Sequence, residues 1–237
     1  MKILIFVPCW QRPEIFEEMA SRLKFPAWVD PVKMAIVSPE DPYADKLHRI
    51  ASREGFFVHY ENNFPVGRKM NDSLKYALFI NKQWQYLMGI NSDDLLDIDY
   101  WEQVKPYLEK GYPMVGMDSI IAYDMANKRG MKLTLNEDTS SGGCLFWGGG
   151  RFISRDAIER TISKLGYVYQ DDLNSGLDTS SQNNIFQNVT FQLPPKVIHG
   201  CYLLDMKTET NINPYHSMRY VPHTKPTEEE INKYFLA

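Results

Sequence analysis

The most constraining feature of this chain is an alternation of short apolar runs with amphipathic segments over its first 111 residues. Apolar runs at 2–7, 32–37, 56–60 and 85–90 predict strands, and the run at 2–7 is typical of a strand that is buried on both faces. Segments with apolar residues at helical spacing follow these runs, at 13–23, 43–54, 66–81 and 100–110. The alternation predicts an α/β fold with a mostly parallel central sheet that is flanked by helices.

Beyond Gly111 the segments become shorter. They predict strands at 114–116, 120–123, 132–135 and 197–198, a helix at 154–165, a partly helical stretch at 171–188 and a C-terminal helix from about residue 227. Ser154 is a predicted N-cap, and Thr227 with Glu230 forms a predicted capping box. We therefore expect a single domain over residues 1–237, with a smaller mixed sheet in its second half.

Charge and cysteine content exclude several classes of protein. The net charge is −4, so no basic bias favours nucleic acid or an anionic membrane as a partner. The three cysteines, Cys9, Cys144 and Cys201, are odd in number and form no Cys-x-x-Cys motif, which argues against a disulfide scaffold or a zinc knuckle. No stretch approaches the roughly 20 apolar residues of a membrane span. We expect a cytoplasmic protein.

An acidic cluster, Asn91-Ser92-Asp93-Asp94, directly follows the fourth predicted strand. In open α/β sheets, ligands bind outside the carboxyl ends of the strands. Two adjacent carboxylates in such a place are unfavourable unless a cation or hydrogen bonds compensate them, and Mg²⁺ or Mn²⁺ is the hard cation that suits them. The alternative interpretation is a solvated turn in which one Asp caps a helix.

Three segments, in this order, resemble the family 2 glycosyltransferases of the GT-A fold. They are Val7-Pro8 with Arg12-Pro13, the stretch 63–71 with Gly67, Arg68 and Asn71, and the cluster at 91–94. The resemblance implies a Rossmann-like sheet, with a nucleotide-binding half at 1–111, an acceptor half at 112–205 and a tail at 206–237 that is a candidate lid. It also implies that Asp94 and Asp93 bind the metal and that Asp93 faces the ribose or a water. Asn91 departs from the family pattern, because it replaces the first acid of the metal motif.

The resemblance places the base and ribose of the nucleotide beside the first strand. It implies donor-binding roles for Pro8, Trp10, Arg12 and Glu40, together with the neighbouring Asp41. Trp10 is a candidate for stacking on a ring, and its alternative is a packed loop residue. Arg68 and Lys69, near the start of a predicted helix, suit a diphosphate, and their alternative is a pair of solvated charges. The implied donor is a UDP-sugar.

At the other end of the predicted site, a glycine-rich segment and an acid pair resemble the family's acceptor side. The segment 146–151 contains Gly149, which the resemblance places beside the donor sugar. Asp172, with Asp171 as second choice, resembles the acid that takes the acceptor proton, and its alternative is a helix-capping pair. His199 resembles a C-terminal metal ligand, and its alternative is a buried structural histidine.

The leading hypothesis is therefore metal-dependent, inverting sugar transfer from a nucleoside-diphosphate sugar. A nucleotidyltransferase is a second hypothesis, although it requires a glycine-rich loop after the first strand and residues 9–12 contain no glycine. A non-catalytic protein that binds sugars or nucleotides is a third hypothesis, to which the loss of an acid at Asn91 lends support. The acceptor is open among a glycan, a lipid-linked sugar, a protein and a modified nucleobase.

Overall fold

The predicted alternation of strands and helices is present in the computed structural model, which describes residues 1–80, 83–135, 144–208, 215–216 and 223–235. The strands are β1 (Lys2–Cys9), β2 (Asp30–Val37), β3 (Phe57–Tyr60), β4 (Tyr86–Gly89), β5 (Asp94–Leu96), β6 (Met114–Met117), β7 (Ser119–Asp124), β8 (Arg129–Thr134), β9 (Arg151–Ser154), β10 (Lys196–Ile198), β11 (Leu203–Lys207) and β12 (His223–Thr224). The helices are α1 (Pro13–Arg22), α2 (Ala44–Arg53), α3 (Val66–Ile80), α4 (Ile98–Glu109), α5 (Arg155–Leu165), α6 (Leu177–Asn188) and α7 (Glu228–Phe235).

A seven-stranded sheet forms the centre of the protein, in the order β10-β6-β9-β4-β1-β2-β3. Strand β1 pairs in parallel with β2 and with β4, and β2 pairs in parallel with β3. Only β9 runs against its described neighbours, since it pairs antiparallel with both β4 and β6. The prediction of a mostly parallel central sheet is confirmed.

Helices cover both faces of this sheet. Strand β1 has apolar side chains on both faces, and each set is buried against a different group of helices. Ile3 and Ile5 pack into a core with residues of α1, α2 and α4. Leu4 and Phe6, which alternate with them, pack into a second core with residues of α3, α5 and α6. A continuous apolar run, rather than a strict alternation, is the expected pattern for a strand with helices on both sides.

A second sheet of five strands has the order β12-β8-β7-β11-β5. Strand β11 lies between β5, which is antiparallel to it, and β7, which is parallel. This mixed sheet was expected from the second half of the chain, yet its edge strand β5 comes from residues 94–96. Conversely, β6, β9 and β10 come from the second half and join the larger sheet. The two halves expected from the sequence therefore share both sheets.

Several elements differ from those predicted. Strands β5, β9, β11 and β12 were not predicted, because each is only two to five residues long and short runs carry little periodicity. The stretch at 171–188 is helical only from Leu177 onward. Ser154 caps α5 as predicted, since its Oγ accepts from the Ala157 amide at 3.2 Å. The predicted helix end at 81 and the segment 141–143 lie outside the described residues.

The predicted capping box at the C-terminal helix is present. The Thr227 Oγ1 accepts from the Glu230 amide at 3.1 Å, and a Glu230 carboxylate oxygen accepts from the Thr227 amide at 2.7 Å. All three cysteines are described and are free thiols. Among the described residues, none of the helices has the length and apolar character needed to span a bilayer.

Candidate functional site

A cavity of about 300 Å³ opens at the carboxyl edge of the larger sheet. It is surrounded by the loops that follow β1 and β4, the start of α3, the start of β9, the end of β11 and the first turn of α6. The carboxyl ends of β1 and β4 meet here because the two strands are parallel. Ligands of open α/β sheets bind at this edge, so the cavity is the candidate site.

Three carboxylates meet beside this cavity, and two of them, Asp93 and Asp205, line it. Oxygen atoms of Asp93, Asp94 and Asp205 lie within 4.8 Å of one another, and all three side chains are buried. Asp94 on β5 is paired in register with Asp205 on β11. Sequence reasoning missed Asp205. The available signal was an acid inside the apolar run 203–206, which is unusual for a buried strand.

Two cations partly compensate these carboxylates. Arg12 Nη1 lies 2.8 Å from an Asp93 oxygen, and Lys207 Nζ lies 2.5 Å from Oδ2 of Asp205. Asp94 has no ion pair among the described residues. Its Oδ2 accepts a hydrogen bond from the backbone amide of Asn91 at 2.8 Å. Asn91 thus shapes the turn, while Asp205 supplies the third carboxylate of the cluster.

The cluster carries more negative charge than its described partners neutralise. Burial, reinforced by the charges of Asp93 and Asp205, raises the pKa of Asp94 well above its usual value. Burial also raises the pKa of Asp205 to about 6, against the lowering effect of Lys207. Oδ1 of Asp205 is buried and has no hydrogen-bond partner in the described part of the chain. Three carboxylates, one with an unused oxygen, are a donor set that fits a hard divalent cation.

The loop after β1 contributes Pro8, Trp10 and Arg12 to the cavity wall, as expected from the sequence. Trp10 makes an edge contact with the Phe64 ring, with centroids 5.9 Å apart. Glu40 was expected here as well, but it is exposed and does not line the cavity.

The acid beside Glu40 supports the same loop. The Asp41 carboxylate is buried and accepts hydrogen bonds from two backbone amides, that of Gln11 at 2.5 Å and that of Tyr43 at 2.8 Å. Gln11 and Arg12 have positive φ angles of 51° and 146°, which are unfavourable for residues with side chains. Asp41 therefore holds the strained turn that brings Arg12 to Asp93.

At the start of α3, the buried Lys69 rather than the exposed Arg68 lines the cavity. Lys69 Nζ donates to the Cys9 carbonyl and to Oδ1 of Asn63, both at 3.0 Å. Burial lowers the pKa of Lys69 to about 8. The sequence predicted both Arg68 and Lys69 as cations for a diphosphate, because helical spacing alone does not show which of two neighbouring residues faces inward. Of the two, only Lys69 lines the cavity.

Gly67 and Asn71 support the loop at 168–173 rather than the cavity. The Gly67 amide donates to the Leu173 carbonyl at 2.8 Å, and a Cβ at Gly67 would overlap the Gln170 carbonyl. The Asn71 side chain donates to the Tyr169 carbonyl at 2.6 Å and accepts from the Tyr169 amide at 2.9 Å. Neither residue lines the cavity.

The two acids predicted as catalytic base also lie elsewhere. Asp171 accepts from the Asn71 side-chain amide at 2.6 Å, and Asp172 is exposed. Neither lines the cavity, whereas Asp178, in the first turn of α6, does. The register of the acids depends on where α6 begins, and the polar stretch before Leu177 gave no signal for that position.

Arg151 at the start of β9 holds Asp178 in place. The Arg151 side chain is 3% exposed, and it donates to the Asp178 carbonyl at 3.0 Å, to the Asp178 carboxylate at 3.3 Å and to the Ser181 hydroxyl at 3.0 Å. The Asp178 side chain is 48% exposed. A buried cation thus fixes a carboxylate that remains accessible from the cavity.

Two adjacent glycines let carboxylates approach the backbone closely. A Cβ at Gly148 would overlap the Asp178 carboxylate, and a Cβ at Gly149 would overlap the Asp94 carboxylate. Gly149, expected beside a donor sugar, therefore lies against a predicted metal ligand. Because Gly148 and Gly149 are neighbours, this segment links the acid cluster to the first turn of α6.

Comparison of this chain with solved structures identifies its fold. No protein-family model and no curated protein matches the chain. The S. aureus TarS fragment 1–349 in complex with UDP-GlcNAc has a TM-score of 0.62 at 16% identity, over 89% of this chain and 60% of that chain. The mannosyltransferase PcManGT from Pyrobaculum calidifontis, in complex with GDP-Man and Mn²⁺, has a TM-score of 0.61 at 13% identity, over 92% of this chain and 59% of that chain. The chain has the GT-A-type fold.

A third structure shares this fold over nearly its whole length. The 4-diphosphocytidyl-2C-methyl-D-erythritol synthase from Anaerococcus prevotii has a TM-score of 0.52 at 10% identity, over 99% of this chain and 95% of that chain. By contrast, this chain spans about 60% of the length of the TarS fragment. At such identities the likeness establishes the GT-A-type fold alone.

Within this GT-A-type fold, His199 lies apart from the carboxylate cluster. Its Nδ1 is 2.7 Å from Oδ2 of Asp118, and its side chain is 56% exposed, so it is also not the buried structural histidine of the alternative interpretation. His199 follows β10, which is the edge strand of the larger sheet beyond β6. The cluster, in contrast, lies where β5 and β11 of the smaller sheet meet. The structure therefore does not bring His199 to the predicted metal site.

Proposed function

We propose that this protein transfers a sugar from a nucleoside-diphosphate sugar, with a UDP-sugar as first choice, to an acceptor hydroxyl. The observation that carries the proposal is the buried cluster of Asp93, Asp94 and Asp205 beside a cavity at the carboxyl edge of a GT-A-type sheet. Structures with the same fold hold UDP-GlcNAc in one case and GDP-Man with Mn²⁺ in another. Both ligands are nucleoside-diphosphate sugars.

Asp93, Asp94 and Asp205 are the residues that would hold Mn²⁺ or Mg²⁺. A bound cation would neutralise the negative charge that develops on the leaving diphosphate. Arg12 and Lys207, which line the same cavity, add positive charge on the side of the diphosphate. Lys69 is a further buried cation that lines the cavity, at the end formed by the loop after β1.

We assign the role of base to Asp178 in place of Asp172 or Asp171. In an inverting transfer, the acceptor oxygen forms a bond to the anomeric carbon while the bond from that carbon to the diphosphate breaks. The acceptor hydroxyl proton passes to a carboxylate. Asp178 suits this step because it lines the cavity, remains half exposed to an incoming hydroxyl and is oriented by Arg151.

A panel of nucleotide sugars tests this function. Binding of UDP-, GDP- and other nucleotide sugars is measured by calorimetry with Mn²⁺ and with a chelator, and release of nucleoside diphosphate is followed with mixed acceptors. We expect at least one donor to bind in the presence of Mn²⁺ and to be hydrolysed slowly or transferred. If no nucleotide sugar binds under either condition, the proposal fails.

The fold also supports nucleotidyl transfer as a second candidate, because the synthase from Anaerococcus prevotii matches this chain over nearly the full length of both proteins. The loop at 9–12 offers no glycine for a nucleoside triphosphate, which favours the sugar donor. The same assay separates the two, since a nucleotidyltransferase binds CTP or another triphosphate and releases pyrophosphate. Donor binding without any turnover would instead support the non-catalytic alternative.

A further inference from the structure

Lys207 has a buried ammonium group that lies beside the cluster of Asp93, Asp94 and Asp205. Its side chain is 7% exposed, and its Nζ lies 2.5 Å from Oδ2 of Asp205. The two residues are two positions apart on β11, so their side chains leave the strand on the same face. Lys207 also lines the cavity. It therefore borders both a proposed metal ligand, Asp205, and the space for the diphosphate.

The ammonium and a divalent cation would use the same carboxylate. Asp205 has one oxygen bonded to Lys207 and one buried oxygen without a hydrogen-bond partner among the described residues. An ion that binds Asp205 together with Asp94 draws negative charge away from Lys207 and repels it. Lysine has a flexible four-carbon stem, so its charge can move without a change of backbone.

We propose that Lys207 exchanges partners: it neutralises Asp205 while the metal is absent, and it pairs with a diphosphate oxygen of the donor once metal occupies the cluster. This inference rests on the proposed function, since it requires a metal–diphosphate ligand. In the free protein Lys207 competes with the metal for Asp205. In the complex it strengthens binding of the nucleotide.

The exchange gives Lys207 effects of opposite sign on two ligands. Removal of its charge raises the affinity for the metal alone, because the competitor for Asp205 is gone. The same removal lowers the affinity for the nucleoside diphosphate when metal is saturating. A lysine that only stabilises the strand would not separate the two affinities, because loss of local structure weakens both.

Lys207→Met tests the exchange by direct binding. Free Mn²⁺ is counted by electron paramagnetic resonance without nucleotide, and UDP binding is measured by calorimetry at saturating Mn²⁺. We expect the Kd for Mn²⁺ to fall about tenfold and the Kd for UDP to rise about tenfold, each within the usual range of coupling between bound ligands. Lys132→Met is the matched control. Lys132 lies on β8 of the same sheet, forms an ion pair with Glu230 of α7 and lies outside the cavity wall. This variant should leave both affinities unchanged.

A charge-conserving variant covers the case in which Lys207→Met does not fold. Lys207→Arg keeps a cation beside Asp205, and we expect it to retain tight UDP binding and weak binding of metal alone. The exchange would be overturned if Lys207→Met shifted the affinities for Mn²⁺ and for UDP in the same direction. It would also be overturned if Lys207→Arg lost UDP binding while its Mn²⁺ affinity stayed unchanged. These outcomes leave the proposed function intact, whereas a wild-type protein that binds no nucleoside diphosphate removes both.

Discussion

Asp94 and Asp205 lie directly opposite each other on the antiparallel strands β5 and β11. Like charges in such a pair destabilise a sheet, and both residues are buried. The arrangement is unfavourable for the metal-free protein and favourable for a protein that holds a cation between the strands. Stability and metal affinity should therefore respond in opposite directions to changes at this pair.

Asp94→Asn should stabilise the metal-free protein and weaken its binding of Mn²⁺. The raised pKa of Asp94 means that the fold disfavours its charge, and asparagine keeps the shape without the charge. We expect a gain on the order of 1 kcal/mol in the free energy of unfolding with a chelator present, and a loss of more than tenfold in Mn²⁺ affinity. Chemical denaturation and Mn²⁺ titration measure the two. A variant that binds Mn²⁺ as tightly as wild type would contradict the assignment.

The metal-free protein should become less stable as pH rises through about 6. Asp205 has a folded-state pKa of about 6 against an ordinary value of 3.8, so the folded protein holds its proton more tightly than the unfolded chain. Its stabilising contribution is complete below about pH 3.8 and is lost as pH rises through 6. We expect a loss of ~2 kcal/mol from this group between about pH 4.5 and 7, measured by denaturation with a chelator. A profile that is flat between pH 4.5 and 7, on the order of 0.3 kcal/mol, would argue against it.

Asp178→Asn and Asp172→Asn should separate the two assignments of the base. Asp178 lines the cavity and Asp172 does not. We expect Asp178→Asn to lower kcat by about 10²–10⁴, as for loss of a general base, and Asp172→Asn to remain within about twofold of wild type. Donor affinity, measured by calorimetry, should be retained in both. The reverse pattern of rates would restore the acid pair predicted from the sequence.

Asn71→Ala should lower stability rather than donor affinity. The Asn71 side chain bonds both backbone groups of Tyr169 and is itself buried, so its loss leaves several groups unpaired. We expect a cost of about 2–3 kcal/mol in unfolding free energy. The exposed Asn62 provides a control, and Asn62→Ala should change stability by less than about 0.5 kcal/mol. Reduced UDP affinity in a folded Asn71→Ala protein would return Asn71 to the donor site.

His199→Ala should leave Mn²⁺ affinity within about twofold of wild type, because His199 pairs with Asp118 and is not part of the carboxylate cluster. The same titration that follows Asp94→Asn measures it. A loss of affinity comparable with that of Asp94→Asn would mean that His199 reaches the metal in the loaded protein.

The sequence by itself determined strands β1 to β4 of the larger sheet and the position of its ligand-binding edge. The runs that became β1, β2, β3 and β4 are mostly apolar, and such a pattern can be recognised from residues that are neighbours in the sequence. The placement of Asp93 and Asp94 after β4 followed from the same local signal. The loop residues Pro8, Trp10 and Arg12 were expected at the cavity for the same reason, and they line it.

Only the tertiary structure decided which other residues join Asp93 and Asp94 at the candidate site. Asp205 and Lys207 reach the cluster because β11 pairs with β5, and Asp178 replaces Asp172 because α6 begins at Leu177. Strand pairing between distant segments and the rotation of a helix about its axis are set by packing over the whole domain. Short polar segments carry no periodicity that records either one. Local sequence therefore specified the ligand-binding edge of the sheet. Packing between distant segments specified which charged side chains, Asp205, Lys207 and Asp178, lie at that edge.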